Sequence, residues 1–411
     1  MARVPFRRAG HGSLSRRGRQ MYSVIFHSAI FSTILFSTIL GLILCAGCGG
    51  GSSPPMPAPA VDGPVNLLTA GNVNGNDDDP SVAVDPQGNV HVVWFSDRDG
   101  TKDLYAVHST AFDATTGAVT WSSPIHITDN AVAQFPPPMQ GDEFPSLFID
   151  SSGTHHLAWH RIDLSNQSHI LYARSDGTAA GWASTTVVPV TSGANFDRFA
   201  SVLRVSPTDL RIFFVSHTRA APLGKDGIFV AKSADNGASW GAPVEITTLN
   251  SATEQSSLPA ITRLSTGLFT AAFQRWKLNP SNDVLDPTND IFYGESNDGD
   301  TWTATQVTSD SADNQNDLAP SFFFDHDGNA HLAWGTTAFG DPAGDIVQMK
   351  VSDRASYPNL VGRLTSTPGL PDHSPRIVPL TIAGQKIFLM IWVRIQTQPH
   401  NQVVYRLFSA L

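Results

Sequence analysis

Three stretches of equal length in this chain are near copies of one another. Pro80 to Trp94 reads PSVAVDPQGNVHVVW, Pro145 to Trp159 reads PSLFIDSSGTHHLAW, and Pro320 to Trp334 reads PSFFFDHDGNAHLAW. Pro, Ser, Asp, Gly, His and Trp recur at fixed offsets. A chain that repeats in this way builds one small unit several times, and each unit buries its apolar face against the next. Pro259 to Phe273 is a weaker copy, with Gly267 at the turn offset and Phe273 at the Trp offset. Ala200 to Val215 and Pro375 to Trp392 are looser copies with longer turns. The spacing of about 55–65 residues is that of propellers and solenoids.

Within each unit two apolar or alternating runs flank an Asx/Pro/Gly turn, such as Asp85-Pro86-Gln87-Gly88, which marks a β-hairpin. A third run follows a polar loop: Leu104 to Val107, Ile170 to Ala173, Ile228 to Ala231, Ile291 to Tyr293, Ile346 to Met349, Val403 to Leu407. A fourth, short run ends in threonine: Pro124 to Thr128, Val187 to Thr191, Pro243 to Thr247, Thr305 to Thr308, Gly362 to Thr365. Four strands in each of six units predict an all-β, six-bladed β-propeller of antiparallel blades. The last unit lacks a fourth run, and Gly63 to Thr69 resembles the fourth runs elsewhere. The expectation is that Val65 to Leu68 pairs with Val403 to Leu407 and closes the ring, covering two open edges.

Residues 1–47 read as a targeting segment. Arg3, Arg7, Arg8, Arg16, Arg17 and Arg19 precede the apolar run Ile30 to Leu44, which is short for a spanning helix. Met21 is an alternative start, and Ser15-Arg16-Arg17 hints at a twin-arginine signal. The run ends in Leu44-Cys45-Ala46-Gly47-Cys48, which resembles a bacterial lipoprotein cleavage site. That resemblance implies cleavage before Cys48, lipidation of its thiol, and a place in the cell envelope, on the outer membrane or cell surface. Residues 48–62, rich in Gly/Ser and then Pro, read as a tether, and residues 63–411 as the propeller.

Cys45 and Cys48 are the only cysteines, so cleavage leaves no thiol for a disulfide or a thiolate metal site. The formal net charge is -10, and no basic stripe is present, which argues against a nucleic-acid partner.

Ser233, Asp235, Gly237 and Trp240 form the Asp box S-x-D-x-G-x-x-W. Glu295 to Trp302 is a degenerate copy, with Asn297 in the Asp place, and partial echoes occur at Gly181-Trp182 and Gly117 to Trp121. Through this motif the chain resembles the sialidase/BNR-repeat superfamily of six-bladed propellers. The resemblance implies that the box is a structural turn between third and fourth strands, away from the active face. An Asp side chain there accepts backbone N–H groups while Trp packs beneath it.

His91, His156 and His331 share one offset. Equivalent positions of different blades are spread around the ring and cannot converge on one ion, so these histidines read as hydrogen-bonded between blades. An acidic residue precedes the first strand of every unit: Asp79, Glu143, Asp197, Glu254, Asp317 and Asp372. An arginine follows the second strand in five: Arg98, Arg161, Arg219, Arg275 and Arg394. Both sets fall at one mouth of the channel. They form either a ring of ion pairs or a funnel for an anionic or polyhydroxylated ligand, for which arginine forks are suited. The loops Ala220 to Asp226 and Trp276 to Asp290 are long enough to shape such a site.

The sialidase resemblance implies three arginines on a carboxylate, a tyrosine nucleophile paired with a glutamate, and an aspartate acid/base. The Arg-Ile-Pro motif of that family is absent, and no tyrosine is a convincing nucleophile. The catalytic residues are therefore not assigned. The reading is a monomeric, lipid-anchored, extracytoplasmic propeller that binds a glycan or an envelope protein on its funnel face without catalysis. The alternatives are an exo-sialidase-like glycoside hydrolase and a structural protein of envelope assembly. No cofactor is implied. Asp77, Asp78 and Asp79 offer hard oxygen ligands for Ca2+, but their spacing matches no EF-hand-like loop.

Overall fold

The computed structural model describes residues 64–69, 75–113, 116–129, 139–217, 219, 226–246, 249, 254–277, 289–309, 316–338, 343–366, 369–395 and 400–409. Cys48, the tether and most of the two long loops lie outside the described residues.

Six antiparallel blades follow one another along the chain, five of four strands and the first with one strand more. Blade 1 comprises Asp77–Val84, Val90–Ser96, Asp103–Asp113 and Ile125–His126. Blade 2 comprises Met139–Ile149, His155–Asp163, Ser168–Ser175 and Val188–Pro189. Blade 3 comprises Asp197–Arg204, Leu210–Ser216, Gly227–Ser233 and Val244–Glu245. Blade 4 comprises Glu254–Arg263, Phe269–Lys277, Asp290–Ser296 and Thr303–Gln306. Blade 5 comprises Asp317–Phe324, Ala330–Thr336, Asp345–Lys350 and Gly362–Arg363. Blade 6 comprises Asp372–Ile382, Gln385–Ile395 and Asn401–Phe408. Its fourth strand is Asn66–Leu67, paired antiparallel with Tyr405 and Val404. Leu68 N–H adds a bond to the Val403 carbonyl at 3.0 Å. The ring is thus closed by the segment expected from its likeness to the fourth strands.

Blade 1 carries one element that the sequence pattern missed. Its third strand runs on to Asp113 and turns back as Ala118–Trp121 before the outermost strand begins. The partial Asp-box echo at Gly117 to Trp121 is this extra hairpin. It rests on blade 6, where the Tyr405 hydroxyl lies 3.2 Å from both the N–H and the carbonyl of Val119.

The apolar core lies between blades rather than within one. Six clusters are each made by two neighbours, for example Val93, Leu104 and Leu157, Trp159 for blades 1 and 2, and Trp94, Val107 and Ile391, Tyr405 for blades 1 and 6. This is the arrangement of a repeat that cannot bury its own face alone. The small hydroxyl residue after each bulge has a related task in blades 1, 2 and 3. The Ser81, Ser146 and Ser201 hydroxyls accept from Leu147, Val202 and Ile261 N–H of the next blade, at 2.9, 3.0 and 3.2 Å.

Every first strand is broken by a bulge at one position. The register shifts between Asp78 and Ser81, Glu143 and Ser146, Arg198 and Ser201, Ser257 and Ala260, Leu318 and Ser321, and His373 and Arg376. Each bulge holds a non-glycine residue in the left-handed region: Asp79 (φ 48°), Phe144 (52°), Phe199 (59°), Leu258 (48°), Ala319 (51°) and Ser374 (53°). Such residues are uncommon, and bulges re-aim side chains. Their sixfold recurrence on the strands that line the channel marks this level of the wall as special.

Candidate functional site

The bulge residues fix the true alignment of the mouth. Two positions before each lies the residue buried at the start of the first strand: Asp77, Asp142, Asp197, Ser256, Asp317 and Asp372, each 2% exposed or less. Asp79, Glu143 and Glu254, singled out in the sequence, are not these equivalents. Asp79 is the bulge residue itself, Glu143 follows Asp142, and blade 4 has Ser256 where an acid was expected.

The buried carboxylates lock the blade Trp in place. Indole N–H groups of Trp94, Trp159, Trp334 and Trp392 donate to Asp77, Asp142, Asp317 and Asp372, each at 2.9 Å. In blades 3 and 4 the Trp place is taken by buried Phe214 and Phe273. Four of the five arginines bond the mouth carboxylate of their own blade. Arg161 grips Asp142 with Nε and Nη2, both at 2.6 Å, and Arg394 grips Asp372 at 2.8 and 2.9 Å. Arg98 reaches Asp77 at 2.8 Å and Arg219 reaches Asp197 at 3.0 Å. Arg275 bonds the Ser256 hydroxyl at 3.3 Å and Glu254 at 3.3 Å. A pattern of alternation emerges. The residue facing the buried mouth position across the strand pair is Arg161, Arg275 and Arg394 in blades 2, 4 and 6, but Ser96, Ser216 and Thr336 in blades 1, 3 and 5. All five arginines engage their own blade, so the ion pairs run within blades rather than around the rim.

The channel wall at bulge level is chemically different. Phe144 and Phe199, both partly exposed, meet edge to face at 4.5 Å across the seam of blades 2 and 3. His160 stacks on Phe144 at 5.3 Å, and the Arg198 guanidinium lies 5.4 Å over Phe199. Glu143 stands beside them, paired with Lys102 from blade 1 and 3.6 Å from His160. Burial opposes ionisation of Glu143, but His160 and Lys102 outweigh it and hold the carboxyl well below the usual range. This is an aromatic platform with an ionised carboxylate and a guanidinium at its edge. Neither phenylalanine stood out in the sequence. The signal was there in retrospect: the residue just before the repeated Pro or Ala varies from unit to unit inside a fixed frame.

At the far end of the blades the repeated histidines serve structure. His156 bonds Asp150 and Tyr172 (3.4 and 2.7 Å), and His331 bonds Asp325 and Gln348 (3.2 and 2.8 Å), all within their own blades. Only His91 reaches across, to His155 of blade 2 at 3.0 Å. The expectation of bonding between blades therefore fits one of the three. The Asp box behaves as a turn. Asp235 accepts from Ser239 N–H and from the hydroxyls of Ser233 and Ser239, and Trp240 packs on Tyr172 of blade 2. A Cβ on Gly237 would stand 2.3 Å from that tyrosine ring. In blade 4 the acceptor is Asp298, bonded to Ser296 and to the N–H groups of Asp300 and Thr301. The box there starts at Ser296, one residue from the alignment through Asn297.

Tyr293 and Glu295 form a tyrosine–glutamate pair at 2.9 Å. The ring is buried in the seam of blades 4 and 5, and burial and Glu295 push its hydroxyl upward, so it has no access to the channel. At Asp77 to Asp79, the Asp77 carboxylate is taken by Trp94 and Arg98, and Asp78 accepts from Asn401 at 2.6 Å. Among the described residues no three His, Cys, Asp or Glu side chains are grouped to hold a metal ion.

No described protein family and no curated protein matches the sequence. Solved structures do match in shape. A protein of unknown function from Dyadobacter fermentans superposes with a TM-score of 0.61 at 15% identity, covering 86% of this chain and all of that one. An α-L-arabinanase of Penicillium chrysogenum, solved with arabinobiose, gives 0.59 at 14% identity over 85% of this chain and 97% of its own. The NanB sialidase of Streptococcus pneumoniae gives 0.54 at 11% identity over 84% and 70%. At these identities the likeness is one of fold, shared with glycoside hydrolases of several substrates, and fold alone does not assign chemistry.

Proposed function

We propose that this protein is a carbohydrate-binding propeller of the bacterial envelope, tethered through a lipidated Cys48 and holding its ligand in the funnel. The observation that supports this most is the pair Phe144 and Phe199, half-open at the channel wall beside Glu143 and Arg198. Aromatic faces take the C–H faces of a sugar, while a carboxylate and a guanidinium take its hydroxyls. A few convergent polar groups around an apolar surface are the usual make-up of a ligand site. The arginines of the blade mouths do not carry the reading, because their forks are occupied by carboxylates. No resident cofactor is part of it.

The test is calorimetric titration of the full-length protein, in detergent, with arabino-, galacturono- and sialo-oligosaccharides, alongside a turnover assay on fluorogenic glycosides. Phe144→Ala and Phe199→Ala should each weaken binding about tenfold or more without a change in turnover, which stays at background. Turnover above background would replace this reading with a hydrolase, the activity named for the arabinanase and the sialidase that share the fold. Indifference of all saccharide binding to both variants would leave an assembly role in its place.

A further inference from the structure

One position of the channel wall departs from the repeat in a way the scaffold does not require. Four residues after the buried mouth position the first strands carry Ser81, Ser146, Ser201, Ala260 and Ser321, all small, and three of these serines tie their blade to the next. Blade 6 has Arg376 there, at the seam with blade 1. Its Nη1 donates to the Pro375 carbonyl at 2.8 Å. Among the described residues no carboxylate oxygen comes within ion-pair distance of it, whereas Arg98, Arg161, Arg219, Arg275 and Arg394 each hold one.

Arg376 is partly exposed. The carboxylate of Asp79 attracts it across the seam; Asp79 itself lies 3.5 Å from the Ser374 hydroxyl. Burial lowers the basicity of the guanidinium, and attraction to Asp79 works against that. A cation set in a wall without a bonded carboxylate is costly to keep. Replacing the tie made by serine elsewhere removes a stabilising bond as well. The first of these costs is offset when an anion arrives.

We propose that Arg376 is the anion-recognising residue of the funnel and that the ligand is an acidic saccharide, whose carboxylate takes the free fork of the guanidinium. The proposal rests on the carbohydrate reading above and adds the charge of the ligand. The probes are a galacturonic acid trimer and its methyl ester, which differ only in that charge, titrated into the full-length protein in detergent. The acid should bind about tenfold or more tightly than the ester, the effect of one charge-assisted hydrogen-bonded contact. Arg376→Ser, which restores the residue of the other blades, should erase the preference while leaving the ester unaffected. Phe199→Ala should weaken acid and ester alike.

Equal binding of acid and ester by the wild type, or a preference that survives Arg376→Ser, overturns the proposal. If neither trimer binds, the carbohydrate reading has failed on these sugars, and the arginine is judged separately by melting. Sulfate at matched ionic strength against chloride should then raise the melting temperature of the wild type more than that of Arg376→Ser. Equal responses overturn the proposal on this arm too.

Discussion

In blades 1, 2 and 5 the two ends use an aspartate in opposite ways. At the mouth, Asp142 is fully buried and joins the first strand to Trp159 and Arg161 of the second. At the far turn, Asp150 accepts from Ser152 and Thr154 N–H, two and four residues on, and from there reaches His156. The first aspartate is a lock between strands, and the second is a turn cap that also meets His156 of its own blade and Arg204 of blade 3. The contrast recurs as Asp77 against Asp85, and as Asp317 against Asp325. It teaches that one residue type in a repeat divides into positions that lock the two inner strands of a blade and positions that cap a turn and reach outward from it.

Stability measurements can break this division. Asp142→Ala strands Arg161 and the indole of Trp159 in the interior, and should cost about 3–5 kcal/mol in urea unfolding. Asp85→Ala removes a turn cap and should cost about 1–2 kcal/mol. Equal losses would mean that the mouth carboxylate is no more of a lock than the turn. Trp159→Phe comes next. It keeps the Asp142–Arg161 pair but removes the indole, as in blade 3 with Phe214, Asp197 and Arg219, and should cost about 1–2 kcal/mol. A loss as large as that of Asp142→Ala would show that the indole, not the guanidinium, anchors the carboxylate.

The turn end also carries the pH response. His155 is pushed down to about 4, first by burial and then by His91, with Asp85 and Asp176 pulling the other way. His91 is lowered too, by burial and by His108. Three contacts run from Asp85 through His91 and His155 to the Gly153 carbonyl, at 3.0, 3.0 and 3.1 Å. Two neutral imidazoles supply only two protons for three bonds between a carboxylate and a carbonyl. With the folded value below the unfolded one, the unfolded chain binds more protons below about pH 6.5. The stabilisation is therefore present above that pH and is lost as pH falls towards 4. His155→Leu, copying Leu210 of the next blade, should give a shallower loss across this window in pH-dependent melting. Parallel curves for wild type and variant would show that the pair does not titrate in this range. The smallest effect belongs to the far surface: Lys386→Ala breaks an exposed contact with Asp327 at 3.4 Å, and should change stability by less than about 0.5 kcal/mol.

Much of the ring was legible because a repeat announces itself. The hairpins, the blade count and the closing strand followed from offsets alone. What was not legible has one physical source, the bulge. Strand alternation assumes an unbroken period of two, and the extra residue at Asp79, Phe144 and their equivalents shifts every side chain before it. Runs such as Asp77-Asp78-Asp79 and Asp142-Glu143 then offer several acids for one place. The sequence cannot say which is buried, nor that Ser256 stands in for an acid in blade 4. The extra hairpin of blade 1 was hidden for another reason, since its Gly117 and Trp121 read as a partial Asp box.

The pairing of Asn66 and Leu67 with the strand Asn401–Phe408 joins the two ends of the folded ring. During synthesis the first strand to emerge must wait for the last one before it has a partner. Nearly the whole chain therefore becomes a single loop to be closed, and blade 1 has no partner on one side until blade 6 is made. Such a topology folds slowly and late. Whatever guards the chain before that moment must cover the flanks of two blades at once.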